Sequence, residues 1–205
     1  MARKASLRPA SNIPWREDAM ECVRTLRAGG LIVCATDTVW GLACRADDPK
    51  ALARLAALKN RPADQPFLLL VAQPGDAMAY ADKIPDAAWE LMEAPESDDR
   101  AITVVLPRAK TANLLPQVIG PEGTVAIRAV RDPYLQFIVK GLGAPLASTS
   151  ANRTGDIAPK GFRQIDKAVL AGVDFVGRWA RDQKCPPPSS IVGIDVSGRI
   201  EILRP

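Results

Sequence analysis

The chain has 205 residues, 47% of them hydrophobic and 24% charged, with a formal net charge of +4 and no histidine. This length bounds the fold to one domain, or one large and one small, and no apolar stretch is long enough to cross a bilayer. The missing histidines exclude His-assisted nucleophilic triads, His general bases and most catalytic zinc sites. Cys22, Cys34, Cys44 and Cys185 form no C-x-x-C pair. They read as small buried residues or inert thiols rather than a zinc ribbon or thioredoxin-type motif. The mild, mixed positive charge permits an anionic partner without demanding nucleic acid.

In chain order, residues 1–14 are basic, contain Pro and Ser and lack an apolar signal segment. They read as a loose arm before a domain of residues 15–205, and the default location is cytoplasmic. Ala19, Cys22, Val23 and Leu26 recur at helical spacing, and Gly29-Gly30 stops that helix. Leu31 to Ala35 reads as a buried strand. Asp48 and Pro49 are an N-cap and first-turn proline for a helix through Leu52, Leu55, Ala56 and Lys59, with Pro62 closing it. Phe67 to Ala72 is a second strand. Ala87 to Met92 reads as helix, and Ile102 to Leu106 and Thr124 to Arg128 as strands. A helix follows over Tyr134 to Lys140, with Pro133 at its start and Gly141 at its end. Pro145 to Ser148 enters a strand, Phe162 to Ala171 is helical, and Val173 to Val176, Ile191 to Ile194 and Ile200 to Leu203 are late strands. This irregular alternation predicts an α/β or α+β domain on a largely buried mixed sheet. Asp182 to Ser189, with three consecutive prolines, is the candidate mobile loop, and Pro186 to Pro188 within it the candidate lid.

Three segments carry chemistry. Thr36-Asp37-Thr38-Val39-Trp40-Gly41 leaves a buried strand, where open sheets place ligands; it also reads as a turn tied by local hydrogen bonds. Lys59-Asn60-Arg61-Pro62 leaves two cations at an exposed turn after a helix. Arg offers a planar fork and Lys a point charge to phosphate or carboxylate, although cations at a helix end also simply complement its dipole. Ser148-Thr149-Ser150-Ala151-Asn152 leaves a strand with three hydroxyls and an amide, enough to satisfy a phosphate or ribose, or a plain loop. Gly141-Leu142-Gly143 follows a helix and lacks a third glycine, so it is no dinucleotide fingerprint, and there is no P-loop.

Taken in order, T-D-T-V-W-G, K-N-R-P, A-I-R at Ala126 to Arg128, S-T-S-A-N-R-T-G and P-S-S-I-V at Pro188 to Val192 resemble the YrdC-like family over residues 15–205. The resemblance implies a twisted mixed sheet flanked by helices, with a deep positive cavity. It implies synthesis of threonylcarbamoyl-adenylate from L-threonine, bicarbonate and ATP, the first step toward the t6A base of tRNA. The extra C-terminal domain of longer members has no counterpart here. Carried over by position, Thr38 would contact threonine, Arg128 would hold its carboxylate and Ser189 would lie near it. Lys59 and Arg61 would sit at the carbamate and phosphates as the catalytic pair. Arg61, Gln65, Thr103, Ser148, Ser150, Asn152 and Arg204 would line the nucleotide side. Magnesium would arrive with ATP, and no residue is assigned as a metal ligand.

Further partners implied are the downstream t6A-pathway transferase proteins, tRNA or double-stranded RNA, and no membrane. The chain departs from the family pattern at Ala35, Trp40, Leu70, Asp98-Asp99-Arg100-Ala101-Ile102 and Ala129-Val130-Arg131-Asp132-Pro133, differences that bear on the threonine pocket and its rim. Two other readings stand beside the synthase: an RNA-binding or ribosome-associated module without synthesis, and a carbamoyl-adenylate-forming enzyme with another acceptor.

Overall fold

The computed structural model describes residues 14–93 and 101–205. The expected arm and the Asp98-Asp99-Arg100 segment lie outside the described residues, Pro14 apart. In chain order the elements are α1 (Trp15–Arg27), β1 (Ile32–Cys34), β2 (Gly41–Arg45), α2 (Pro49–Lys59), β3 (Leu68–Val71), α3 (Asp86–Glu93), β4 (Ile102–Leu106), β5 (Ile119–Gly120), β6 (Thr124–Ala129), α4 (Pro133–Leu142), β7 (Leu146–Ser150), α5 (Lys167–Ala171), β8 (Phe175–Val176), β9 (Ser190–Ile194) and β10 (Ile200–Arg204). The strands form one ten-stranded sheet in the order β10-β9-β4-β6-β3-β7-β2-β1-β8, with β5 pairing β6 off that path. The β3–β6, β4–β9 and β1–β8 pairs are parallel and the rest antiparallel.

Alternation along the strands sorts the side chains into two cores. Val33, Leu42, Cys44, Leu69, Val71, Val104, Leu106, Val125, Ile127 and Ala147 pack with Leu52 and Leu55 of α2, Ala88 and Met92 of α3 and Val169 of α5. Ile32, Cys34, Ala43, Leu70 and Leu146 pack with Ala19, Cys22, Val23 and Leu26 of α1 and Leu135, Ile138, Val139 and Leu142 of α4. Asp18, fully buried on α1, pins this second layer. It accepts from the Tyr134 hydroxyl at 2.8 Å, the Arg178 backbone N–H at 2.9 Å and the Trp179 backbone N–H at 3.1 Å.

Helix starts follow the expected chemistry. Asp48 accepts from the backbone N–H groups of Lys50 and Ala51, and Asp132 from that of Leu135. The stops differ. α2 ends at Asn60 in the left-handed region (φ 52), before Pro62 can act. α4 runs through Gly141 and ends at Gly143 (φ 72), where an L side chain would be strained.

Three further expectations are corrected. Phe162 to Ala171 is not one helix, because Asp166 caps a new start at Ala168 N–H and splits it into a 3₁₀ turn and α5. Ser148, Thr149 and Ser150 do not leave the strand: they are β7 itself, paired with Ala43, Leu42 and Gly41 of β2. β2 and the two-residue β5 are strands that the sequence reading passed over.

Candidate active site

α1 and α4 cover only part of their face of the sheet. Beyond them the same face is open and floors a hollow of about 470 Å³, a size that suits a small-molecule ligand. The register explains the floor. Gly41 pairs with Ser150, Leu68 with Ser148, Val105 with Ala126 and Thr103 with Ile191. One face of six neighbouring strands therefore brings together residues that lie far apart in sequence. Gly41 has a packing reason as well: a Cβ there would meet Thr36 Cγ2 at 2.8 Å, so the threonine would have to shift. The walls come from the turn after α2, the loop after β7, Pro188 and Ser189, and Arg204 at the end of β10.

Thr38, Lys59, Arg61, Gln65, Thr103, Arg128, Ser148, Ser150, Asn152, Ser189 and Arg204 all line this hollow. Every residue assigned to the site from sequence is thus brought together. Among the described lining residues there are four cations and no carboxylate.

Lys59 is not at an exposed turn. Its residue is 3% exposed, because the side chain reaches the C-terminal end of β7 and the loop that follows it. The ammonium donates to the Ser150 carbonyl at 2.8 Å, Asn152 Oδ1 at 2.8 Å and the Ser150 hydroxyl at 3.3 Å. Burial, and then the neighbouring Arg61 charge, push its pKa down to about 8. Its three hydrogens all have protein acceptors, so Lys59 fixes the end of β7 to the Asn152 loop as well as supplying charge.

Arg61 is locked differently. Nε donates to the Gln65 carbonyl at 2.6 Å, Nη2 to the Pro66 carbonyl at 2.6 Å and Nη1 to Thr149 Oγ1 at 3.2 Å. The guanidinium also lies 4.7 Å from the Phe67 ring centroid. Three of its five N–H donors are so used, which leaves two for a ligand. Burial lowers its pKa from the usual arginine range.

On the other side, Arg128 is nearly buried. Nη1 donates to Thr38 Oγ1 at 3.2 Å and Nη2 lies 3.0 Å from Asp37 Oδ1. Neither Asp37 oxygen meets an aligned donor, and Arg128 Nε is buried without a partner. The pair is therefore Coulombic rather than a directed hydrogen bond. Thr103 and Ser189 hydroxyls meet at 2.8 Å, and Arg204 holds the Ser189 carbonyl through Nη2 at 2.8 Å and Nε at 3.2 Å. Burial first, and the Arg128 charge second, lower the Arg204 pKa.

The sequence reading missed Asp37 as a partner of Arg128 and Thr36 as a lining residue. Both stand in the T-D-T-V-W-G segment, which was the available signal. Ala35, Trp40 and Leu70, which depart from the family pattern, do not line the hollow, and Ala35 packs against the core. Trp40 is core, with its ring 5.0 Å from that of Phe162, and Leu70 is core beneath α1 and α4. Among the described residues no cluster of three His, Cys, Asp or Glu is placed to hold a metal ion, and no helix is long and apolar enough to cross a membrane.

A mixed sheet whose uncovered face gathers four cations and a set of hydroxyls defines an α/β protein built to hold a small anionic ligand. The family model for Sua5, YciO and YrdC, described as telomere recombination, matches residues 24–205. The chain is 33% identical to a threonylcarbamoyl-AMP synthase of Saccharophagus degradans over 145 residues, covering 71% of this chain and 74% of that one. It is 30% identical to that of Xanthomonas campestris over 164 residues, covering 80% and 87%. By structure it is similar to P. abyssi Sua5 complexed with L-threonine (TM-score 0.79, 23% identity), covering 95% of this chain and 55% of that one. It is similar also to E. coli YciO (TM-score 0.77, 21% identity), covering 95% and 91%. The chain belongs to the Sua5/YciO/YrdC family.

Proposed function

We propose that the chain is an L-threonylcarbamoyladenylate synthase, a nucleotidyltransferase that joins L-threonine, bicarbonate and ATP for t6A modification of tRNA. The observation that carries this reading is the convergence of Lys59, Arg61, Arg128 and Arg204 on one hollow with the hydroxyls of β7, in a chain whose relatives bear the synthase name.

In this reading the threonine amine attacks bicarbonate with loss of water, or carbon dioxide with loss of a proton, to form a carbamate. A carbamate oxygen then attacks the α-phosphorus of ATP, and pyrophosphate leaves. Every main species is anionic, so placement and charge neutralisation do most of the work and no histidine is required. Arg128 and Thr38 receive the amino acid, with Ser189 beside them. The two free N–H donors of Arg61 face the carbamate and phosphates, and the Lys59 charge stands behind Ser150 and Asn152. Gln65, Thr103, Ser148, Ser150, Asn152 and Arg204 form the nucleotide side. Magnesium enters as part of the ATP substrate and neutralises phosphate charge; the absence of an acidic cluster among the described residues fits a metal carried by the phosphates. Residues 15–205 act as one domain. The product passes to t6A-pathway transferases acting on tRNA, which argues for a cytoplasmic site of action.

The test is pyrophosphate release from ATP with bicarbonate present. Release that requires threonine supports the synthase. No release with any amino acid removes it, and release with a different amino acid replaces the acceptor. An RNA-binding module without synthesis is not favoured, because its cations need only be scattered over a surface, whereas these four share one hollow.

A further inference from the structure

We propose that Asp37 is a positioning residue for the amino-acid substrate, acting through Arg128 to aim its guanidinium into the hollow; this rests on the synthase reading above.

The Asp37 side chain is 8% exposed, and neither of its oxygens has a hydrogen-bond donor. A buried carboxylate left in that condition is unfavourable unless a cation compensates it. The compensating cation is Arg128, itself 5% exposed, at 3.0 Å. Asp37 does not line the hollow and Arg128 does. The carboxylate therefore acts on a ligand only through the arginine.

The turn that carries Asp37 is locked, and the lock has a direction. Thr36 Oγ1 donates to the Val39 carbonyl at 2.6 Å and accepts the Thr38 backbone N–H at 2.9 Å. Its single proton is spent on Val39. The 2.9 Å contact between the Thr36 and Thr38 hydroxyls must then be donated by Thr38. Thr38 Oγ1 in turn accepts from Arg128 Nη1 at 3.2 Å. The sequence of donations runs Arg128, Thr38, Thr36, Val39 carbonyl. Thr38 has no proton left for an incoming carboxylate, so within this arrangement the carboxylate depends on Arg128.

Arg128 is held at two points from behind: Nη1 by Thr38 and Nη2 by Asp37. Its Nε remains without a partner. Nε is buried, so the second N–H on each of Nη1 and Nη2 is what remains for a ligand, and a guanidinium held at both terminal nitrogens is preorganised to receive a carboxylate fork. Removing the Asp37 charge releases one grip and leaves the arginine free to swing within a hollow that holds three other cations.

The experiment compares Asp37→Asn with wild type, in the Arg128 and the Arg128→Gln backgrounds. Asp37→Asn keeps the side-chain shape, and Asp37→Ser carries the same comparison where the amide variant does not fold. We expect the threonine KM to rise about tenfold or more, as for other groups that orient a ligand-binding side chain, while the ATP KM stays within about twofold. In the Arg128→Gln background the Asp37 substitution is expected to add less than about twofold, because a residue acting only through Arg128 has nothing left to act on. Equal changes in the threonine and ATP KM, or an undiminished Asp37 effect without Arg128, overturns the proposal. Calorimetric titration with threonine separates this from the parent reading. A wild-type chain that binds no threonine defeats both, whereas wild type and Asp37→Asn binding it equally defeats only the role of Asp37.

Discussion

Lys59→Ala tests the site most directly, and the structure changes what the substitution should do. A helix-end lysine on the surface could be removed at little cost to the fold, but this one is buried and donates to three acceptors on Ser150 and Asn152. Removing it strands the Ser150 carbonyl and Asn152 Oδ1. An unsatisfied buried polar group costs about 1–3 kcal/mol. The relief of no longer burying an ammonium offsets part of that, so a net loss of about 2 kcal/mol is expected, or about 4–8 °C in Tm for a chain of this size. Catalysis should suffer more. Loss of a preorganised charge beside developing negative charge, together with the Ser150 and Asn152 groups it holds, removes about 3–4 kcal/mol of barrier stabilisation, roughly a hundredfold to a thousandfold in rate. Thermal melting and threonine-dependent pyrophosphate release read the two effects separately. A variant that melts like wild type would refute the packing argument, and one with near-normal turnover would remove Lys59 from the chemistry.

Three further expectations follow from the same contacts. Burial and the Arg61 charge lower the Lys59 pKa to about 8 from its ordinary 10.5, so ATP affinity measured by calorimetry should weaken as pH rises through about 8. Over the interval from there to the unfolded value, the unfolded chain binds more protons than the folded one. The Lys59 contribution to stability therefore increases with pH while the ligand-binding charge is lost, and flat ATP affinity between pH 7 and about 9.5 would contradict this. Arg128→Ala should raise the threonine KM and also destabilise the fold by about 3 kcal/mol, since it leaves Asp37 buried and unpaired; urea denaturation with an unchanged midpoint would count against the pair. Asp18→Ala, which strands the Tyr134 hydroxyl and two backbone N–H groups, should cost about 3 kcal/mol by the same measurement, with little change in either KM because Asp18 does not line the hollow.

Much of this could be read from the chain alone, for identifiable reasons. Helices α1, α2 and α4 declare themselves through spacing and through Asp48 and Asp132 placed before prolines. The site was legible because its cations and hydroxyls occur in short segments in a fixed order. What remained hidden depends on partners far away in sequence. Ser148-Thr149-Ser150 looks like a loop by residue type, and only pairing with β2 and β3 makes it a strand. β2 itself, Gly-Leu-Ala-Cys-Arg, is buried at four of its five positions and shows no alternation to betray it. The burial of Lys59 depends on Ser150, 91 residues on. The Asp37 and Arg128 pair likewise joins a turn to a strand far along the chain, β6.

The floor of the hollow is cut from paired strands, and this sets where the molecule can tolerate a change of length. Ser148 stands opposite Ala43 on one side and Leu68 on the other. Deleting a single residue inside β7 would shift the phase of everything after it, presenting a methyl where a hydroxyl stood and driving polar groups into the oily interior. The stretch before Ser189 has no such phase to keep. An inserted residue there reshapes the mouth, whereas the same insertion a few ångströms away in the floor would erase the binding surface altogether.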